Sequence, residues 1–303
     1  MQNRTDIYVS LIYLLAAVPY VWMGLYAWHK RPAVAVTPFA WAMLGMSIWS
    51  FCYGLEIYFP YLPVKLLFAK IEYIGILSIP VFLLFFALEF TGNSHLLPLR
   101  PRLLLWAIPF SILTIVWTNE FHHLMWDQAT VVEVRGLKLL DVRFGLFFWV
   151  QVVFSYAMVL FASILLVMEM VRRPGIYRVQ ISFVILGILL PWIGSLVFVG
   201  RVNPVPNLDI TPLLFLPTSI GLSWAIVRFR LLEVLPLEHL SVLKNMKDGV
   251  IALSTDHRVL YLNPIAEKLL DRTESVAIGQ PLAHVSGLYW GKLKPYLTGE
   301  EFR

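Results

Sequence analysis

Seven long apolar stretches, separated by short polar connections, make up most of the chain. A helix rises 1.5 Å per residue, so about 20 apolar residues cross a hydrocarbon core of about 30 Å. Each stretch is therefore predicted to be a membrane-spanning helix. The predicted spans cover residues 7–28, 36–58, 66–88, 103–117, 146–170, 181–199 and 210–227.

The composition supports this pattern. Hydrophobic residues make up 59% of the chain, charged residues only 14%, and the mean hydropathy is +0.73. An ordinary soluble domain has roughly 25% charged residues. A transmembrane barrel would instead alternate apolar and polar positions in strands of about ten residues. The predicted fold class is an all-α seven-helix transmembrane bundle, followed by an incomplete α+β domain.

Basic residues cluster at the connections that seven alternating spans place on one side of the membrane. They are Lys30 and Arg31, Arg100 and Arg102, Arg172, Arg173 and Arg178, and Arg228 and Arg230. Since Lys and Arg favour the cytoplasmic side, we expect the N-terminus outside a cell (inner) membrane and the tail in the cytoplasm. The same clusters account for the net charge of +5 without a nucleic-acid partner. Arg135, Lys138 and Arg143 on the opposite side weaken this asymmetry.

Prolines occur within most of the predicted spans, among them Pro80, Pro191 and Pro212. Each removes a backbone donor and can bend its helix, which membrane helices tolerate when neighbours satisfy the freed carbonyl. Two interpretations stay open. The prolines are either the ordinary composition of membrane helices or a set of bends that opens a cavity on the outer side.

The chain becomes polar after residue 227. Residues 228–246 are amphipathic and are predicted to form a linker helix. Residues 249–253 and 258–262 read as two strands joined by a turn at 254–257. Asn263 followed by Pro264 is a typical helix start, with Asn as N-cap and Pro at the first helical position. The predicted domains are thus 1–227, 228–246 and 247–303.

Charged residues inside membrane spans are costly, and each is a functional candidate. Glu56 lies near the outer end of the second span, and Lys70 and Glu72 lie in the outer part of the third. One interpretation is ligand binding. The other, given equal weight, is that Lys70 or Lys65 pairs with a carboxylate and stabilises helix packing.

The outer loop after the fourth span opens with an aromatic segment that contains His122, His123 and Trp126. Adjacent histidines point in different directions, and no third ligand is regularly spaced from them, so a zinc site is not favoured. A lid over a cavity, with His122 or His123 as polar contacts, is the preferred interpretation. Asp209, just before the seventh span, could face the same space.

The chain offers no catalytic motif. It contains no phosphate-binding loop, no HExxH motif and no GxSxG nucleophile elbow. The seventh span has no lysine for a retinal Schiff base, and the only cysteine is Cys52 in the second span, so the tail has no thiol for a flavin adduct. We expect no catalytic residue, metal or cofactor in residues 1–303.

The order of these features resembles the seven-helix N-terminal input region of sensor histidine kinases, which is also found on diguanylate cyclases. The similar stretches are KIEYIG (70–75) with Pro80, FALEFTG (86–92), TNEFHHLMW (118–126), Asp209 with Pro212, SWAI (223–226) and RFRLLEVLP (228–236). The tail resembles the opening of a PAS domain in MKDGVI (246–251), RVLYLN (258–263) and IGQPL (278–282). A whole PAS domain would be longer, so the tail is expected to be its N-terminal part.

The resemblance implies a receptor that relays a small or lipophilic signal, from the outer side or the membrane, through the linker helix to the PAS-like tail. A kinase domain beyond residue 303, a homodimer, surrounding membrane lipids and a response regulator as partner are further expectations. A diguanylate cyclase output is the alternative within signalling. A small membrane transporter is the alternative from another class, and the absence of an internal repeat and the odd number of spans argue against it.

Overall fold

The computed structural model describes residues 4–31, 35–172, 176–217, 219, 246–253 and 257–291. Its long helices lie where the sequence predicted them. They are α1 (Arg4–His29), α2 (Val36–Tyr58), α3 (Leu62–Phe90), α7 (Leu146–Arg172) and α8 (Ile176–Val199). A further helix, α9, is described over residues 211–217. The predicted linker at 228–246 lies outside the described residues except for Met246.

Successive helices run antiparallel and pack as neighbours. Helix α2 lies between α1 and α3, and α3 also packs against α7, which in turn packs against α8. Small residues allow the closest approach, because a Cβ on Gly75 of α3 would lie 2.4 Å from the backbone oxygen of Gly45 in α2. In membranes, where lipid is as apolar as leucine, such close packing is a main source of helix association.

The fourth predicted span is not one continuous helix. It begins earlier, as α4 (Leu99–Leu105), and a break at Trp106 separates it from α5 (Ala107–Trp117). Pro109 accounts for the break, since it has no N–H for the carbonyl of Leu105 and its ring crowds that turn. Arg102 of α4 forms an ion pair with Glu89 of α3 at 3.0 Å, which fixes the connection between the two helices.

Five of the described helical segments are long and apolar enough to cross a membrane. They are Arg4–His29, Leu62–Phe90, Leu99–Trp117, Leu146–Arg172 and Ile181–Val199. Helix α2 has 23 residues but is not among the five, and α9 is described for only part of its predicted length. The count of seven spans therefore stays a prediction.

The outer surface of the helices is apolar. On α1, the buried side chains of Tyr13, Ala16, Tyr20 and Met23 alternate at helical spacing with exposed Leu11, Leu15, Val18 and Trp22. A soluble protein rarely exposes contiguous apolar patches of this extent, whereas a lipid-facing helix surface requires them.

A β-hairpin, which the sequence analysis did not predict, follows α5 and the single turn α6 (Asn119–His122). Strand β1 (Trp126–Val134) pairs antiparallel with β2 (Leu137–Phe144). Both turn residues, Arg135 and Gly136, have positive φ, as a two-residue hairpin turn with the right twist requires. The hairpin rests on the start of α1, where the Lys138 N–H donates to Asp6 at 3.0 Å.

The tail begins as predicted. Strand β3 (Ile251–Leu253) pairs antiparallel with β4 (Val259–Leu262), and α10 (Pro264–Leu270) starts with Asn263 as its N-cap and Pro264 at the first position. Two single turns follow, α11 (Glu274–Ala277) and α12 (Leu282–Val285). A small core of Val259, Leu262, Ala266 and Leu282, among others, joins these elements. Most of the predicted turn at 254–257 lies outside the described residues.

Candidate functional site

Three buried carboxyl groups from distant parts of the chain lie within electrostatic range of one another inside the helical bundle. Glu56 of α2, Glu72 of α3 and Asp209 before α9 are each at most 6% exposed, and their charges act on one another. Lys65, at the start of α3, balances part of this charge and donates to the backbone oxygen of Glu56 at 2.6 Å. Buried charges persist only when they are paired or hydrogen-bonded, so this cluster is a costly feature of the bundle.

Asp209 is held in place by side chains of α1 and α2 and by the backbone at the start of α9. The Tyr13 hydroxyl donates to its backbone oxygen, and its N–H donates to the Tyr53 hydroxyl oxygen, both at 2.7 Å. Its Oδ1 accepts from the N–H of Thr211 at 2.9 Å, which satisfies one of the free donors at the start of α9. Tyr13 and Tyr53 also meet edge to face, with ring centroids 4.8 Å apart. The helix start is thereby fixed to α1 and α2.

Lys70 points away from the three carboxyl groups. Its Nζ binds the carboxylate of Glu120 and lies 3.3 Å from the backbone oxygen of Trp117, at the end of α5. The hydrogen bond from Lys70 holds the pKa of Glu120 below its usual value. For Lys70, the contacts match the alternative interpretation of an ion pair that joins two helices.

The histidine segment forms local structure. The His122 ring bonds the Thr118 hydroxyl and accepts from the N–H of Leu124, both at 3.0 Å, and His123 is exposed in a left-handed backbone conformation. Trp126 is buried, and its ring packs against Tyr73 with centroids 5.6 Å apart. None of these three side chains is among the described residues that line the cavity between the helices, and a lid formed by this segment stays a prediction. Asp209, expected near the same segment, does line the cavity.

A cavity of about 130 Å³ lies between α2, α3, α7, α8 and α9. Its wall is mostly aromatic and aliphatic and includes Trp49, Phe148 and Phe215. Pro80 of α3 and Pro191 of α8 both line it, and the interpretation of the prolines as cavity-forming bends stays a prediction. The polar side chains at its wall are Tyr73, Gln151, Ser155, Tyr156, Trp192, Ser195, Asp209 and Thr211.

The structure thus groups Glu56, Glu72 and Asp209, and places Lys70, His122 and His123 elsewhere. Sequence analysis missed Tyr13, Tyr53, Trp192 and Thr211 and named Lys65 only as a pairing partner. The position of Tyr53 in the second span gives no signal, because tyrosines are common in membrane proteins and many lie at the interface. Within the described residues, no three His, Cys, Asp or Glu side chains are grouped in a way that could hold a metal ion.

Comparison with known proteins supplies the remaining evidence. The family described as the N-terminal 7TM region of histidine kinase matches residues 12–236, which is most of the chain. The matched range includes the acidic cluster, the cavity and the hairpin. It ends before the tail, whose likeness to a PAS domain stays a prediction. No curated protein matches the chain.

Proposed function

Since the chain belongs to the family of N-terminal seven-transmembrane regions of histidine kinases, we propose that it is the signal-receiving part of a membrane-bound sensor kinase. The signal is a small or lipophilic molecule from the outer side or from the membrane itself. Residues 1–227 receive it, residues 228–246 transmit it, and the PAS-like tail at 247–303 passes it on. The kinase reaction would belong to a domain outside residues 1–303.

The observation that carries this proposal is the position of the cavity. Thr211 and Phe215 of α9 line it, and the sequence of this helix continues towards the linker at 228–246. A molecule in the cavity would therefore contact the last described helix before the predicted linker. A ligand shifts a conformational equilibrium only as far as its affinities for the two states differ, and contacts with a moving helix supply such a difference.

Further parts of the proposal follow from the family and from the charge pattern. We propose a homodimer in the inner membrane, in contact with its lipids, with the tail in the cytoplasm and a response regulator as downstream partner. Lys30, Arg31, Arg102 and Arg172 lie at one end of the antiparallel bundle, as the orientation requires. The candidate ligand-binding residues are Glu56, Glu72 and Asp209, of which only Asp209 is among the described residues that line the cavity. A structural role, in which they stabilise the packing of the surrounding helices, is proposed instead for Lys70, His122, His123 and Trp126.

The proposal can be tested by filling the cavity. Ser155 of α7 lines it and is 6% exposed, so the Ser155→Leu variant places an extra apolar group where a ligand would sit. We expect the basal autophosphorylation of the intact gene product in proteoliposomes to change by about threefold or more, since a shift of about 0.7 kcal/mol between two states has this effect. The matched control is Val153→Leu, which lies on the lipid-facing side of the same helix and is 68% exposed.

A Ser155→Leu protein that folds and phosphorylates like Val153→Leu would contradict the assignment of the cavity. The acidic cluster is tested in the same assay with Glu56→Gln, Glu72→Gln and Asp209→Asn. Unchanged responses in all three variants would remove the cluster from the signal site.

A further inference from the structure

Two polar atoms at the wall of the cavity have no hydrogen-bond partner among the described residues. They are Nε1 of Trp192 in α8 and Oγ1 of Thr211 in α9, which lies beside the Asp209 carboxylate but makes no hydrogen bond of normal length to it. Thr211 is only 2% exposed. An unpaired buried polar group costs about 1–3 kcal/mol, and in native proteins such groups almost always have a partner. A bound molecule or an ordered water is expected to bind them.

Other polar side chains at the wall already bind one another. The Tyr156 hydroxyl and the Ser195 hydroxyl are 3.1 Å apart, and Gln151 donates to Ser155 at 3.3 Å. The carboxylate of Asp209 accepts from the backbone of Thr211. Among the described residues, the polar atoms at the cavity wall that still lack a hydrogen-bond partner are therefore those of Trp192 and Thr211.

The chemistry of these two groups selects the ligand. An indole N–H can only donate, and a threonine hydroxyl can donate as well. Their common complement is an oxygen with free lone pairs. Among the described residues that line the cavity there is no Lys or Arg, so a carboxylate or phosphate would find no countercharge. The remaining wall is apolar, and a cavity of about 150 Å³ in another protein holds a benzene ring.

We propose that the signal bound in this cavity is an uncharged lipophilic molecule that carries a carbonyl or hydroxyl oxygen, and that this oxygen accepts hydrogen bonds from Trp192 and Thr211. This ligand class rests on the proposed function, in that the cavity is taken to be the signal site. The recognition step itself requires no kinase and can be measured separately.

The same contacts explain how such a ligand would act on α9. Gly194 of α8 lets the two helices approach, since a Cβ at this position would lie 3.4 Å from the Cα of Thr211 and 2.4 Å from a methyl group of Leu214. Trp192 lies two residues before Gly194 on α8, and Thr211 is the first described residue of α9. An oxygen bound by both residues ties α9 to α8 at the first turn of the helix.

The test uses three probes with one carbon skeleton: acetophenone, ethylbenzene and 1-phenylethylamine. Their binding to the full chain in nanodiscs is measured by equilibrium dialysis, and binding to empty nanodiscs is subtracted. We expect acetophenone to bind at least about fivefold more tightly than ethylbenzene, which corresponds to one net hydrogen bond, and up to about 30-fold if both bonds contribute fully. Both should bind more tightly than the protonated amine.

Substitutions then assign the preference to residues. Trp192→Phe and Thr211→Val should each reduce the ratio of acetophenone to ethylbenzene affinity, while ethylbenzene binding persists and shows that the cavity is intact. Thr211→Ser keeps a hydroxyl and should retain the ratio. Trp22→Phe, on the exposed surface of α1, is the control for loss of an indole and should also retain it.

Three outcomes would overturn the inference: equal affinity for acetophenone and ethylbenzene, a ratio unaffected by both Trp192→Phe and Thr211→Val, or tighter binding of 1-phenylethylamine. Equal affinity would mean that water alone satisfies the two atoms. Tighter binding of the amine would make Asp209 the recognition group. Failure of the proposed function is distinguishable, because it leaves this binding intact and removes only the effect of Ser155→Leu on autophosphorylation.

Discussion

Asn263 joins three parts of the tail through one fully buried side chain. Its Oδ1 accepts from the N–H groups of Ala266 and Val250, both at 2.9 Å, and its Nδ2 donates to the backbone oxygen of Asp248 at 2.7 Å. The amide therefore caps α10 and fixes the chain that enters β3. This residue was identified from the sequence because an N-cap before proline is a local signal.

We expect Asn263→Ala to destabilise the tail without affecting the helical bundle. Loss of an N-cap costs about 1 kcal/mol, and the lost bonds to Val250 and Asp248 add to this, for about 2 kcal/mol in all. Hydrogen exchange of the full chain in nanodiscs should accelerate roughly 30-fold over residues 250–270. Lys268→Ala, on the exposed side of the same helix, should have little effect. Unchanged exchange in the Asn263→Ala protein would contradict this role.

At the candidate site, the sequence identified the buried charged residues but not the directions of their side chains. Charges inside apolar spans identified Glu56, Glu72 and Lys70, but the direction in which each side chain points depends on how the helices pack. Lys70 and Glu72 are two residues apart and so lie on different faces of α3. Lys70 thus reaches Glu120, while Glu72 reaches the cluster. Trp192 and Thr211 gave no signal, because an unpaired polar atom is defined only by its surroundings.

At the scale of elements, the contact between α2 and α3 depends on two glycines. Gly45 and Gly75 face each other so closely that a side chain on either one meets the other helix. Helix positions were predictable because hydropathy determines which segments enter the membrane. The hairpin was missed although its strands alternate around Arg135 and Gly136, because the aromatic segment before it was interpreted as an isolated lid.

The Gly75→Leu substitution should force α2 and α3 apart. Overpacking typically costs about 1–3 kcal/mol, and contact with a backbone oxygen cannot be relieved by turning a side chain. We expect the Tm of the purified protein to fall by roughly 5 °C. Ile74→Ala, at the neighbouring position on the exposed side of α3, is the control and should change the Tm less. Equal Tm values would show that the glycine contact is unimportant.

For the whole molecule, the orientation in the membrane can be tested with single cysteines, since the native Cys52 is buried. Glu133 of the hairpin, Lys30 after α1 and Lys268 of the tail are all exposed. In intact cells, a membrane-impermeant maleimide should modify the Glu133→Cys variant but neither Lys30→Cys nor Lys268→Cys. After the cells are lysed, the maleimide should also modify the Lys30→Cys and Lys268→Cys variants. Labelling of Lys268→Cys in intact cells would imply an even number of spans.

The hydrogen bonds from α1 to the end of the bundle set an order for its assembly. Tyr13 and Tyr20 donate to the backbone oxygens of Asp209 and Pro212, which are 196 and 192 residues further along the chain. At about 5–20 residues per second, the ribosome takes roughly 10–40 s to supply these acceptors. Until then, two hydroxyl groups that end fully buried have no final partner. These hydrogen bonds can form only after the segment from residue 209 has been made. A chain that stops before residue 209 would keep its earlier helices but lack the bonds that join α1 to the end of the bundle.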